Sequence, residues 1–182
     1  MGYLSSQDKL DEAAMRRALA LAYADPTTRL PNRLRFVSKL ESLVDRGEGK
    51  SVYLAVCDID GFRKINVSHG PRVADSILTI VAERLRTAAN DTAPGALFIG
   101  RIGADQFGII APGVEQGIVK TFLAAADRLI ADPIAIEREH ISVTVSFGAA
   151  LAPTDAVTAT ELMKQAEIAL KEAKHMPSGR RA

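Results

Sequence analysis

The sequence has a single cysteine, no tryptophan and no long apolar run, and its charges nearly cancel, with 23 Lys and Arg against 22 Asp and Glu over 182 residues. Each shortage excludes something. One cysteine cannot close an internal disulfide, so the core alone has to hold the fold. Apolar stretches such as Ala18 to Ala24 stop far short of the roughly 18 residues of a membrane span. The opening residues, MGYLSSQDKLDE, carry neither a basic leader nor an apolar segment, so export is not expected and the chain reads as cytoplasmic. A formal net charge of +1 leaves no basic face for a nucleic acid polymer or an anionic membrane surface. A small ligand or a protein is the expected partner.

What the chain does have is enough apolar material for one domain plus an extra element, with 47% hydrophobic residues. Residues 5–24 lack Gly and Pro and are rich in Ala and Leu. With Ser5 and Asp8 as a weak capping box, they predict an N-terminal helix or stalk over residues 1–24, ended by Asp25-Pro26. A second helix is expected from Asn32 to about Asp45, with Leu34, Val37, Leu40, Leu43 and Val44 on one face. Ser51 to Asp60 reads as a buried strand and Val73 to Ala89 as a helix. Ala96 to Ile102 and Gln106 to Ala111 form a hairpin around Gly103-Ala104-Asp105. Val114 to Ala131 is helical, Ile141 to Leu151 is a strand, and Thr158 to Lys174 is a last amphipathic helix. This order predicts an α/β (α+β) domain with one mixed sheet flanked by helices, spanning residues 25–182.

Asp58 and Asp60 stand at the carboxyl end of the first strand and, by strand alternation, project to one face. Two carboxylates there suit a hard cation, which takes one or two of them plus phosphate oxygens, and Asp105 at the hairpin turn could join them. Most Asp-x-Asp pairs taken alone are solvated strand ends. Cys57 beside Asp58 reads as a small buried hydrophobe rather than a nucleophile. His69, His140 and His175 form no i, i+4 pair, so no zinc site is expected.

Read together, four segments and a helix carry a resemblance. Asp25-Pro-Thr-Thr-Arg-Leu-Pro-Asn-Arg, Asp58-Ile-Asp-Gly-Phe-Arg-Lys-Ile-Asn, Arg101-Ile-Gly-Ala-Asp-Gln-Phe and Val145-Ser-Phe-Gly precede Ala166-Glu-Ile-Ala-Leu-Lys-Glu-Ala-Lys. In this order and spacing they resemble the GGDEF domains of bacterial cyclic di-GMP signalling, over about residues 25 to 176. Asp58-Ile-Asp-Gly-Phe alone also looks like the opening of haloacid-dehalogenase phosphatases. Phe62 in place of Thr or Val, and the two helices ahead of the strand, argue against that group. The GGDEF resemblance implies a nucleotidyl-cyclase-like fold that joins two GTP molecules into cyclic di-GMP with Mg2+ or Mn2+. It implies metal at Asp58, the Ile59 carbonyl and Asp105, guanine contacts from Asn66 and Asp75, and triphosphate contacts from Arg63 and Lys174. Phe62 goes with these nucleotide-site positions, although its side chain reads as core.

The departures bear on activity. The signature reads Gly103-Ala104-Asp105-Gln106-Phe107, so its second glycine and its glutamate are both changed. A glycine at 104 is expected to supply a backbone angle or a close approach that Ala104 obstructs. Gln106 keeps the size of Glu but cannot carry charge or accept a proton, which weakens a catalytic or metal role there. Val67, Pro71 and Ala74 replace the usual Asp, His and Gly. The product-inhibition motif would fall on Pro94 to Leu97, where neither of its charged residues is present, and the region around Arg180 is two residues longer than usual. The expected protein is a degenerate GGDEF domain that binds GTP in a regulatory role with weak or no cyclase activity. An active cyclase and a protein-interaction module with a vestigial pocket are the alternatives. The Leu-Pro-Asn-Arg, Asp132-Pro133 and Ala-Leu-Ala-Pro segments resemble the GGDEF half of proteins that carry an EAL phosphodiesterase domain. A fused partner domain, a larger parent protein and a homodimer are therefore further expectations.

Overall fold

The computed structural model describes residues 14, 21–45, 50–136 and 139–175. The expected N-terminal helix lies mostly outside the described residues, as do Ser5, Asp8 and Arg180; within it, Leu21 and Ala22 are helical. The described elements are α1 (Arg33–Val44), β1 (Val52–Ile59), α2 (Phe62–His69), α3 (Pro71–Thr92), β2 (Phe98–Arg101), β3 (Gln106–Pro112), α4 (Gln116–Ala131), β4 (Ile134–Ile136), β5 (Glu139–Ile141), β6 (Val145–Ala152) and α5 (Ala159–His175).

β1 is a continuous apolar run because it is covered on both faces. Val52, Leu54 and Val56 pack with Phe36 and Leu40 of α1 and with Leu162, Ala166 and Leu170 of α5. Ala55, Cys57 and Ile59 face the other way, into a core with Ile77, Val81 and Leu85 of α3 and Phe122 and Ile130 of α4. Cys57 is fully buried, and burial followed by the charge of Asp58 pushes its thiol well above the usual range. It is a packing residue.

The main sheet has the order β2-β3-β1-β6, and a separate ribbon pairs β4 with β5. The expected sheet is mixed, whereas every neighbouring pair in the described sheet is antiparallel. The reason lies in β3. The α2–α3 crossover delivers β2 parallel to β1, but β3 folds back between them, so the two parallel strands never touch. Helix α2 was not expected from the sequence. It is eight residues long, includes Ile65 and Val67, and lies between Gly61 (φ 68) and Gly70 (φ 82), whose positive φ angles, open to glycine, turn the chain at each end.

Side chains close the helix ends. Asn32 caps α1 by accepting from the Arg35 N–H at 3.1 Å, and Asp45, beyond the end of α1, accepts from the Ala159 N–H of α5 at 2.9 Å. Arg84 donates from Nη1 to the carbonyls of Ile130 (2.9 Å) and Asp132 (2.6 Å), filling the carbonyl end of α4. Arg84→Ala leaves those carbonyls without their charged donor and should cost about 2 kcal/mol in urea denaturation. Arg84→Lys should recover only part of that, because an ammonium lacks the planar fork.

Arg29 is the one non-glycine residue with positive φ among the described residues (φ 58). Holding an arginine in the left-handed region costs about 1–2 kcal/mol, and glycine removes that cost at some expense in chain entropy. Arg29→Gly should therefore raise stability by up to about 1 kcal/mol in the same measurement.

Candidate functional site

The site is built where β1, β3 and β6 end together. Asp58 on β1 is opposite Gln106 on β3 and Ser146 on β6, so three polar side chains share one face at the mouth of an otherwise apolar sheet. Asp58 is only 5% exposed. Its Oδ2 accepts from Gln106 Nε2 at 3.2 Å, and its Oδ1 accepts from Lys174 Nζ at 2.5 Å. Lys174 comes from the last turn of α5, which lies along β6 and reaches Asp58 from the side.

Asp60 is bound to β6. Its carboxylate accepts from Thr144 Oγ1 at 2.7 Å and Ser146 Oγ at 2.8 Å, and its N–H donates to the Thr144 carbonyl at 2.9 Å. Asp58 is thus held from β3 and α5, while its strand-end neighbour is held from β6. Thr144 and Ser146 were not singled out from the sequence. Their signal was there, within Ser142, Thr144 and Ser146, three hydroxyls alternating with apolar residues.

Asp105 sits half-buried in the β2–β3 turn, its carbonyl accepting from the Ile59 N–H at 3.2 Å. Burial, and next the negative charge of Asp58, push its carboxyl above the usual range, with Lys174 and Arg101 partly opposing. The charge of Asp58 makes Asp105 harder to ionise, a cost that a cation beside the two would relieve. Asp58, Asp105 and the Ile59 carbonyl are the oxygen donors that could hold a divalent ion here, Mg2+ or Mn2+ completed by phosphate oxygens. Among the described residues no group of three or more His, Cys, Asp or Glu converges, so such an ion would draw its other ligands from outside that set.

The turn itself is gripped from behind by Arg101, a residue the sequence reading left without a role. Its Nη1 pairs with both oxygens of Asp25 (3.1 and 3.2 Å), its Nε donates to the Gly103 carbonyl at 3.2 Å, and its Nη2 donates to the Ala104 carbonyl at 2.6 Å. Asp25 also accepts from the Thr28 N–H and hydroxyl at 2.7 and 2.8 Å. Burial alone would raise the Asp25 carboxyl; the Thr28 and Arg101 contacts outweigh it and hold the group below the usual range. Both residues stand in the quoted motifs, so the signal was position within them.

One expectation about the turn is corrected. Ala104 is exposed and its φ is not in the left-handed region, so no special backbone angle is needed at that position. The turn closes through the Ile102 and Gly103 N–H groups on the Gln106 carbonyl, with ordinary backbone angles. Any effect of Ala104 has to come from its methyl group.

The positions expected to contact nucleotide lie on the two helices that follow β1. Phe62 opens α2 and packs against the core. Arg63 and Asn66 are exposed on α2, and Asp75 is exposed on α3. Asn66 and Asp75 stand about one turn on either side of Gly70, which places them at the same corner. The structure therefore gathers Asp58, Asp105, Gln106 and Lys174 into one cluster and puts Arg63, Asn66 and Asp75 on the adjoining helices.

The family model for "Diguanylate cyclase, GGDEF domain" matches residues 22–180. The chain belongs to the GGDEF family. Among curated relatives, the bifunctional diguanylate cyclase/cyclic di-GMP phosphodiesterase MucR of Pseudomonas aeruginosa is 32% identical over 165 residues, covering 88% of this chain and 23% of MucR. The chain spans about a quarter or less of the length of the first curated relatives it matches. Among solved structures, a sensory box/GGDEF family protein of Caulobacter crescentus superposes with a TM-score of 0.73 at 31% identity, covering 84% of this chain and 97% of that one. The GGDEF domain of C. crescentus DgcB, solved with c-di-GMP, gives 0.77 at 29% identity, covering 88% and 93%. This GGDEF domain is thus an antiparallel sheet flanked by helices, of a family in cyclic di-GMP signalling. Among its described residues no helix is long and apolar enough to cross a membrane.

Proposed function

We propose that this GGDEF domain is degenerate: it binds GTP or a related guanine nucleotide in a regulatory role and makes cyclic di-GMP weakly or not at all. The observation that carries this reading is the Gln106 contact. At the signature position the family fills with glutamate, an amide donates to Asp58 at 3.2 Å. It adds no negative charge and accepts no proton, so both a metal ligand and a base are lost at once.

In this reading Asn66 and Asp75 recognise the guanine edge, whose mix of donors and acceptors suits an amide and a carboxylate. Arg63 and Lys174 meet the triphosphate, with Phe62 fixing the start of α2 beneath them. Asp58, Asp105 and the Ile59 carbonyl hold Mg2+ or Mn2+, which would neutralise phosphate charge. The relative MucR is described as a bifunctional cyclase and phosphodiesterase. That arrangement supports a fused EAL-type domain whose activity nucleotide occupancy biases, in a cytoplasmic protein with access to GTP.

A second reading, a working cyclase acting as a homodimer, draws on Asp58 and Asp105 both being in place and on the ordinary backbone at Ala104. The two separate in one experiment. Purified wild type and the double variant Ala104→Gly, Gln106→Glu are incubated with GTP and Mg2+ or Mn2+, and cyclic di-GMP is measured by chromatography beside a calorimetric GTP titration. The expected result is GTP binding by both, and product formed at least about a hundredfold faster by the double variant, in keeping with restoring a proton-transfer group. Equal turnover by wild type would establish the active cyclase. Absence of heat with GTP, GDP and cyclic di-GMP would leave an interaction module.

A further inference from the structure

We propose that Lys174 is a resident counter-ion of Asp58 that excludes free divalent cations, so that metal enters the pocket only together with a nucleotide whose phosphates give the ammonium a new partner. This rests on the nucleotide-pocket reading above and adds what that pocket discriminates: the metal–nucleotide complex from the metal alone.

The argument starts from burial. Asp58 is 5% exposed, and a carboxylate in such a place has to be paired or lose its charge. Both its oxygens are already engaged, Oδ1 by Lys174 Nζ at 2.5 Å and Oδ2 by Gln106 Nε2 at 3.2 Å. A divalent cation needs one of those oxygens. With the ammonium in contact distance it would meet a like charge a few ångströms away, in surroundings that screen poorly. Lys174 therefore has to leave first.

It is able to leave. Lys174 stands in the last turn of α5, and its side chain is 39% exposed, so its long stem can carry the ammonium out of the cluster. Arg101 cannot take its place, because it is held by Asp25 and by the Gly103 and Ala104 carbonyls. Without an incoming anion, departure of Lys174 trades a short ion pair for water. With a triphosphate present it trades one anionic partner for another, and the metal fills the vacated oxygen. Gln106 tips the balance further toward the ammonium. A glutamate there would offer a cation a third acid, whereas the amide donates to Asp58 and helps hold it turned toward Lys174.

The test measures Mn2+ binding by electron paramagnetic resonance of the free ion, on wild type, Lys174→Met and Lys174→Arg, without and then with GTP. Without nucleotide, Lys174→Met should bind Mn2+ at least about tenfold more tightly than wild type, the size expected from removing one adjacent positive charge. Lys174→Arg should stay at the wild-type value. GTP should raise wild-type Mn2+ affinity by about tenfold or more and that of Lys174→Met by clearly less. Nucleotide-free affinities of wild type and Lys174→Met within about twofold of one another would overturn the counter-ion. Circular dichroism confirms folding of each variant, and Lys174→Gln, which also removes the charge, takes the place of Lys174→Met in the same comparison should that variant be unstable. Calorimetry of wild type with GTP, with and without Mn2+, tests the underlying reading separately. Failure to bind GTP in both conditions removes the nucleotide pocket and entry of metal with nucleotide, while the nucleotide-free titration still decides whether Lys174 excludes the ion.

Discussion

Gly148→Ala should destabilise the domain by about 3 kcal/mol or more and disturb the site without touching it. A Cβ at position 148 would lie 2.1 Å from the Leu170 nitrogen, 2.3 Å from the Ala166 carbonyl oxygen and 2.5 Å from the Leu170 Cα, all main-chain atoms of α5. No rotamer relieves such a contact. Either β6 bends or the helix retreats, and the helix carries Leu162, Ala166 and Leu170 into the core beside Leu54 and Val56. Lys174 follows Leu170 by four residues and therefore lies on the same side of α5. A retreat of the helix draws the ammonium away from Asp58 Oδ1. Urea denaturation reads the stability loss, and nitrogen-15 chemical shifts at Asp58 and Lys174 read the displacement. Gly117→Ala is the control. Nothing lies within 4 Å of a Cβ there, so at the second residue of α4 alanine should be neutral or stabilise by up to about 1 kcal/mol. Equal effects of the two substitutions would mean that the close approach of strand and helix is not what fixes α5.

The contrast between these glycines shows what a sequence discloses and what it conceals. Gly148 was visible as part of Val145-Ser-Phe-Gly, but the letters give no reason for it; the reason is a helix that returns from later in the chain to lie on it. The elements themselves were legible wherever one periodicity dominated, as along the apolar run of β1; α1 was legible as a helix, but its expected face was partly wrong, since Leu34 is 65% exposed and Phe36, outside that face, is fully buried with Leu40. Helix α2 was not legible, because eight residues between two glycines give periodicity too little length to register. The β4–β5 ribbon was missed for a like reason, being two three-residue strands next to the longer β6.

At the site, the motif order brought out Asp58, Asp105, Gln106 and Lys174, and the fold gathers those four. Sequence reasoning could not say which of them touch. Two assumptions about single residues also needed the three-dimensional arrangement. Asp60 shares the strand-end face with Asp58 as expected, yet its carboxylate is bonded to the Thr144 and Ser146 hydroxyls. Ala104 departs from the signature without a backbone angle to pay for.

Asp25→Ala is the second substitution with a large expected effect, about 2–3 kcal/mol, and the physical reason is the cation it leaves behind. Asp25 and Arg101 are each 15% exposed at the side chain, so an Arg101 deprived of its partner would carry a poorly hydrated charge. The Thr28 N–H and hydroxyl would lose their acceptor as well. Because Arg101 also holds the Gly103 and Ala104 carbonyls, the loss should reach the signature turn, seen as faster hydrogen exchange at residues 102 to 106. Asp25→Asn isolates the charge. The folded carboxyl lies below its ordinary value, so in the unfolded chain the same group binds its proton first as pH falls. Its contribution is then complete above the unfolded value of about 4 and disappears as pH drops through the lower folded value. Wild type should accordingly exceed Asp25→Asn in stability at pH 7, and the gap should close below about pH 4. No gap at pH 7 would mean that the Thr28 hydrogen bonds, which an amide oxygen can still accept, carry the whole effect and that the pairing with Arg101 contributes nothing.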